Sequence, residues 1–230
     1  MVELPFLTEP LLVCVIVHDR FKNVKRWIEC WRHCNQYGGK LAVIHNNDAP
    51  SVSWRNLAKS PGLDYYINRP NLGFDVGALQ ALHAGELGVD FQWKHLLWIC
   101  DDSLPMNRDF VGYLARALFG TTGAGVVGVE LSEEVRFHMR TNMYMIRKET
   151  LDRIVFPANP TVTKSDSYMF EHWCPKLNLS QQIKDMGLSV LQADPSIHTI
   201  AWDTGHHRND DRWREFWSVF PTTKPLGRQP

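Results

Sequence analysis

The chain has no surplus of charge of either sign. Its 230 residues carry 25 Lys+Arg against 25 Asp+Glu, for a formal net charge of zero. The basic footprint of a nucleic-acid binder is therefore missing, which disfavours nucleic acid as partner or acceptor and leaves at most a local patch. No apolar run approaches the length needed to span a bilayer. Residues 1–10 hold acids and prolines rather than the basic start and small-residue cleavage site of a signal peptide, so a cytoplasmic protein is expected. Cysteine is scarce: there are five, an odd number without framework spacing, which fits reduced thiols. Cys30 and Cys34 are one helical turn apart around His33, but zinc would need further ligands at suitable spacing, so they read as packed thiols. Neither the dinucleotide-binding glycine fingerprint nor the Walker loop is present. Internal repeats and low-complexity tracts are absent too.

What is present is a core-forming composition, 44% hydrophobic, and an ordered alternation of short apolar runs and helical patterns. Leu11 to Val17 reads as a buried strand. Val24, Trp27, Ile28, Trp31 and Cys34 then recur at helical spacing, and Gly38-Gly39 stops that helix. Leu41 to Ile44 is a second strand, Ser53 to Lys59 a short helix, Tyr65 to Ile67 a third strand, and Leu79, Leu82, His83 and Leu87 mark another helix. His95 to Cys100 is a fourth apolar strand. Alternation of this kind implies a parallel sheet with right-handed crossovers. The second half is less regular. It has a helix over 109–119, strands over 126–131 and 142–146, a helix over 149–154, a helix N-capped within Ser165-Asp166-Ser167, and a late strand over 188–191. The expected fold class is α/β, with a mostly parallel central sheet flanked by helices. The expected organisation is one domain over 1–230: a ligand-binding half at 11–105, a second half at 106–200 and an aromatic tail at 201–230.

Three strand ends carry polar residues: His18-Asp19-Arg20, Asn46-Asn47-Asp48 and Asp101-Asp102. In an open α/β sheet these ends share one edge, where such folds bind ligands. Adjacent carboxylates are costly to desolvate unless something positive meets them. A divalent cation carrying a polyphosphate suits them, because hard cations take oxygen ligands and keep places for phosphate oxygens. A solvated strand end that caps the next helix is the plainer alternative. Between the third strand and its helix lies Arg69-Pro70-Asn71-Leu72-Gly73-Phe74-Asp75-Val76-Gly77. Glycines there let backbone N–H groups approach a phosphate at a helix N-terminus, though an ordinary loop would use them equally.

In this order the features resemble glycosyltransferases of the GT-A fold, family-2-like enzymes in particular and their rhamnosyltransferase-like branch, over roughly residues 11 to 200. The resemblance implies transfer of a sugar from a UDP- or dTDP-linked nucleotide-diphosphate donor to a glycan or other hydroxyl acceptor, with inversion, aided by Mn2+ or Mg2+. It places His18, Asp19, Asn47 and Asp48 around base and ribose. Arg69, Asn71, Gly73, Asp75 and Gly77 fall toward the sugar-phosphate end, and Asp101 faces the ribose or the sugar. The metal motif departs from the family pattern: its first acidic position is Cys100, which leaves Asp102 as the direct ligand. A late histidine, His198, or else His206 or His207, would complete the metal sphere. The catalytic base implied by the resemblance is Glu171 or Asp166, with Glu171 preferred because a neighbouring aromatic could line an acceptor pocket and neighbouring apolar groups could raise its pKa. Trp213 and Trp217 are one turn apart; they read as packing, or as a surface for an acceptor sugar or a second subunit in a homo-oligomer.

Two rival readings stand beside this one. A sugar-1-phosphate nucleotidyltransferase would also use an α/β sheet and a metal, but it expects glycine after the first strand, where the chain has His18-Asp19-Arg20-Phe21-Lys22. A catalytically inactive nucleotide-sugar-binding module would account for the Cys100-Asp101-Asp102 departure.

Overall fold

The computed structural model describes residues 9–34, 37–105, 108–194 and 198–200. Its centre is β1 (Leu11–Val17), every residue of which is buried. The strand looks uniformly apolar because both of its faces are covered, yet the two faces remain distinct. Leu11, Val13, Val15 and Val17 enter one core with Trp27 and Trp31 of α1 (Phe21–Cys34). Leu12, Cys14 and Ile16 enter the other, with Leu79 and Leu82 of α3 (Phe74–His83). Period-2 alternation between two apolar layers is how a buried parallel strand arises.

The remaining crossovers follow the sequence pattern. β2 (Lys40–Asn46), α2 (Val52–Leu57), β3 (Tyr65–Arg69) and β4 (His95–Cys100) complete the first half. β1 pairs in parallel with β2 and β4, and β2 with β3. The second half adds a three-residue strand, β5 (Ser103–Pro105), and α4 (Phe110–Gly120). β6 (Ala124–Gly128), β9 (Met143–Arg147) and β10 (Ser189–Gln192) join the main sheet. The seven-stranded order is β10-β6-β9-β4-β1-β2-β3, with β9 antiparallel to both neighbours, so the sheet is mostly parallel, as expected.

Several local expectations change. The apolar stretch 126–131 is not one strand: β6 ends at Gly128, and β7 (Leu131–Ser132) leaves the main sheet to pair with β8 (His138–Met139). The helix expected over 149–154 is α5 (Lys148–Leu151), and α7 (Leu179–Asp185) precedes β10. The segment after residue 164 begins as α6 (Ser165–Tyr168) and widens into a π-helical turn, Met169–Trp173. Its N-cap is Lys164, with no side-chain cap. Asp166 therefore does not cap the helix; it reaches back to Thr161. Among the described residues no helix is long and apolar enough to cross a membrane.

Candidate active site

The carboxylates after β4 are held from several directions. β4 stops at Cys100, and the Asp101 N–H donates to the Ile16 carbonyl at 3.1 Å. Asn23 of α1 donates to the Asp101 carbonyl at 3.0 Å, and the Trp27 indole donates to the Ser103 carbonyl at 3.0 Å. Burying the indole of α1 thus also fixes the turn that carries the acids. Arg20, just past β1, lies between the two carboxylates: its Nη1 is 3.2 Å from Asp101 Oδ1 and 3.4 Å from Asp102 Oδ2. The other oxygen of each acid, Asp101 Oδ2 and Asp102 Oδ1, is buried without a hydrogen-bond partner among the described residues. Burial pushes Asp101 up to about 7 against the opposing pull of Arg20, and Asp102 is raised for the same reason. Cys100 stands where the resemblance expects the first acid. Its Sγ lies 3.8 Å from the Thr141 carbonyl, and burial drives the thiol far above its ordinary range, so it carries no charge.

On the other side of β1, side chains brace the loops. His18 Nδ1 meets the Asn46 carbonyl at 2.5 Å, and His45 Nε2 meets the His18 carbonyl at 2.8 Å. Asn46, the last residue of β2, donates to the Phe74 carbonyl at 2.9 Å and accepts from Arg69 Nη1 at 2.8 Å. Arg69 Nη2 donates to the Leu72 carbonyl at 2.8 Å. Gly73 then starts α3 at φ +67°, a left-handed conformation that favours glycine.

The facing wall comes from α3, the 140–142 turn and the 164–171 segment. Asp75 accepts from the Ser167 hydroxyl and, at 3.4 Å, from Thr141 Oγ1; burial nonetheless raises its pKa. Glu171 lies in the π turn with Oε1 3.6 Å from His138 Nε2 and 3.9 Å from Arg140 Nη1. Burial, then the charge of Asp75, push Glu171 up to about 7, while Arg140 opposes them. A carboxylate tuned to that range is suited to take and give a proton near neutrality. Asp166 is 2% exposed and accepts from the Thr161 N–H at 2.7 Å and Thr161 Oγ1 at 2.9 Å.

These walls enclose an open pocket of about 610 Å³. Of the residues expected from sequence, His18, Asp19, Asn71, Asp75, Asp101, Asp102 and Glu171 line it. Asn47, Asp48, Arg69, Gly73, Gly77 and Asp166 do not. Asn47 donates to Asp19 Oδ1 at 3.3 Å from beside the pocket, and Asp48 lies in the same exposed turn. Arg69, Gly73 and Gly77 shape the loop rather than the lining. The backbone of His198 lies in β11 (His198–Ile200), paired with β5 opposite Pro105. The His198 side chain, His206, His207, Trp213 and Trp217 fall outside the described residues.

Arg20, Asn46, Arg140, Lys164 and Tyr168 also line the pocket, although none of them had been given a site role from sequence. Arg20 and Asn46 had a signal, since each belongs to a polar strand end. Choosing Asn46 over Asn47 requires knowing that β2 continues through residue 46, opposite Arg69. Arg140 and Lys164 gave none, because only the fold carries their loops to this edge.

No protein-family model matches the chain, and no curated protein matches it. Solved structures do. A mannosyltransferase from Pyrobaculum calidifontis, in complex with GDP-Man and Mn2+, superposes with a TM-score of 0.62 at 14% identity, over 93% of this chain and 65% of that one. This chain thus spans less than two thirds of that enzyme's length. A glucosyl-3-phosphoglycerate synthase from Mycobacterium tuberculosis, in complex with Mn2+, UDP and glucosyl-3-phosphoglycerate, gives 0.58 at 12% identity, over 92% and 77%. The chain has the fold of these GT-A glycosyltransferases.

Proposed function

We propose that the chain is a metal-dependent glycosyltransferase that moves a sugar from a nucleotide-diphosphate donor to an acceptor hydroxyl with inversion. The observation that carries this reading is the pair of buried carboxylates after β4, each with one oxygen on Arg20 and one unpaired, at the edge of a GT-A sheet. Unpaired buried carboxylate oxygens are costly, and a hard divalent cation is the partner that removes the cost. Asp102, with Asp101 beside it, would hold Mn2+ or Mg2+. The ion would supply positive charge to the diphosphate oxygens. Both similar structures were solved with Mn2+, and their nucleotides are GDP-Man in one and UDP in the other. The donor proposed here is UDP- or dTDP-linked, and the acceptor a glycan or other hydroxyl compound.

The chain's own residues then divide the work. His18, Asp19 and Asn46 line the part of the pocket suited to base and ribose. Arg20 steadies both acids and adds a fixed positive charge beside the leaving diphosphate. Glu171 takes the proton from the acceptor hydroxyl as that oxygen attacks the anomeric carbon. Asp166 is occupied with Thr161 and acts as a brace.

Calorimetry of nucleoside diphosphate binding with and without Mn2+ tests the reading. Wild type should bind only with the metal, Asp102→Asn should abolish that metal-dependent binding while keeping its fold, and Asp101→Asn should be milder. Unchanged Mn2+-dependent binding in Asp102→Asn would sink the assignment. Manganese-dependent binding with no donor hydrolysis or transfer would favour the inactive binding module, which the uncharged Cys100 keeps in play.

A further inference from the structure

We propose that His138, Glu171 and His172 form a second metal site, selective for a zinc-class ion and separate from the acid pair after β4. Among the described residues they are the one group of three or more His, Cys, Asp or Glu side chains whose ligand atoms all lie within 4.8 Å of one another. His138 is on β8 and fully buried. Its Nδ1 sits 2.8 Å from the Arg136 carbonyl, which can only accept, so Nδ1 carries the hydrogen and Nε2 presents its lone pair. That lone pair has no hydrogen-bond partner among the described residues and stands 3.6 Å from Glu171 Oε1. A lone pair facing a carboxylate is repulsive unless a cation or a proton lies between them. A proton alone would leave His172 Nδ1, in a ring only 9% exposed, buried and unpartnered as well. A metal ion satisfies all three groups at once.

The surroundings fit such an ion. Two imidazoles and one carboxylate are a ligand set of catalytic zinc sites, which keep a fourth position open. Here Glu171 lines the pocket, so the open position would face it. Zinc–ligand bonds of 2.0–2.1 Å place tetrahedral ligand atoms about 3.3 Å apart. The His138–Glu171 separation of 3.6 Å is already close to that, and rotation of the side chains closes the rest. Imidazole-rich sets favour zinc, cobalt, nickel or copper, whereas an all-carboxylate pair favours magnesium or manganese. Arg140, 3.9 Å from Glu171, would oppose a cation, but its charge is met by Glu134 at 2.8 Å and Glu130 at 3.9 Å. The π turn brings Glu171 and His172 to one place, and buried Asn178 holds it by donating to the Glu171 carbonyl at 2.6 Å.

The site stands whether or not the chain transfers sugar; Glu171 acts as base only in the zinc-free state, so a zinc-class ion here would block transfer, and the test uses metal alone. Chelator-stripped full-length protein is titrated with Co2+ and read by visible absorption, then challenged with Zn2+. The expected result is the strong absorption of four-coordinate cobalt, displaced by Zn2+, retained in Asp102→Asn and lost in His172→Asn. Zn2+ affinity should fall by more than about tenfold in His172→Asn, since even outer-shell changes cost 10–100-fold. His138→Gln should behave likewise; if it does not fold, His172→Asn decides, with circular dichroism to establish its fold. A weak six-coordinate spectrum, a spectrum unchanged in His172→Asn, or one abolished by Asp102→Asn would each overturn the proposal.

Discussion

Replacing Gly77 with alanine pits two opposed effects against each other. Gly77 is in the first turn of α3, and in a helix interior alanine is ordinarily favoured over glycine by about 1 kcal/mol. The tertiary structure reverses the sign. A Cβ at this position would stand 2.0 Å from the Leu72 carbonyl oxygen, 2.9 Å from its carbon and 3.3 Å from Arg69 Nη2. Ordinary contacts between such atoms are about 3.5 Å, so helix and loop must separate by more than an ångström. Neither side is free to move. The Gly77 N–H donates to the Gly73 carbonyl at 2.7 Å, and the Gly73 N–H donates to the Thr161 carbonyl at 2.6 Å. The Leu72 carbonyl is held by Arg69, which also holds Asn46. Overpacking costs about 1–3 kcal/mol, and a lost hydrogen bond to a charged donor about 1.5–3 kcal/mol. Against a gain near 1 kcal/mol, the net expectation is about 1.5–5 kcal/mol of destabilisation. At roughly 2–4 °C per kcal/mol for a chain of this size, the melting temperature should drop by about 3–20 °C. Because Asn46, Asn71 and Phe74 line the pocket, nucleotide binding should weaken as well. Gly120→Ala is the control: it ends α4, with no heavy atom within 4 Å of the added Cβ, and should be neutral or slightly stabilising. Thermal denaturation of both variants beside wild type, followed by calorimetry with nucleoside diphosphate, measures the difference. If Gly77→Ala melts at or above wild type, helix propensity has won and the close approach of α3 to the Leu72 carbonyl is refuted.

The remaining expectations concern Glu171. Glu171→Gln should keep donor binding and lose turnover by about 10²–10⁴-fold, whereas Asp166→Asn should lower stability through Thr161 and leave turnover per folded molecule largely intact. The opposite pattern in steady-state kinetics would make Asp166 the base. Glu171 also sets a pH dependence, because its pKa rises from an ordinary 4.5 to about 7 in the folded chain. Between those values the folded protein keeps a proton that the unfolded chain has released, so stability falls as pH rises through that window and levels off above it. Metal-stripped wild type should lose about 2–3 kcal/mol relative to Glu171→Gln between pH 5 and 8. Urea denaturation giving parallel pH curves for the two proteins would count against the buried-carboxylate description.

Sequence alone determined the elements whose signal is local. Leu11–Val17 and His95–Cys100 are contiguous apolar runs with polar ends, and in the structure they are β1 and β4, adjacent and parallel. Strand–helix alternation was enough to place His18, Asp19, Asp101 and Asp102 at one sheet edge, because parallel crossovers leave little choice. The antiparallel insertion of β9 between β4 and β6 is not legible in this way, since pairing partners distant along the chain leave no mark on periodicity. Nor is the choice of Asn46 over Asn47, which turns on where the β2 ladder ends. Asp166 had the residue type of a cap, and only the fold shows it turned back to Thr161. His138 and Glu171 are 33 positions apart in sequence, yet β8 and the π turn bring their side chains to 3.6 Å. The shifts at Asp101 and Glu171 belong to the tertiary level for the same reason: desolvation depends on what the rest of the chain packs around a group, not on the group's neighbours in sequence.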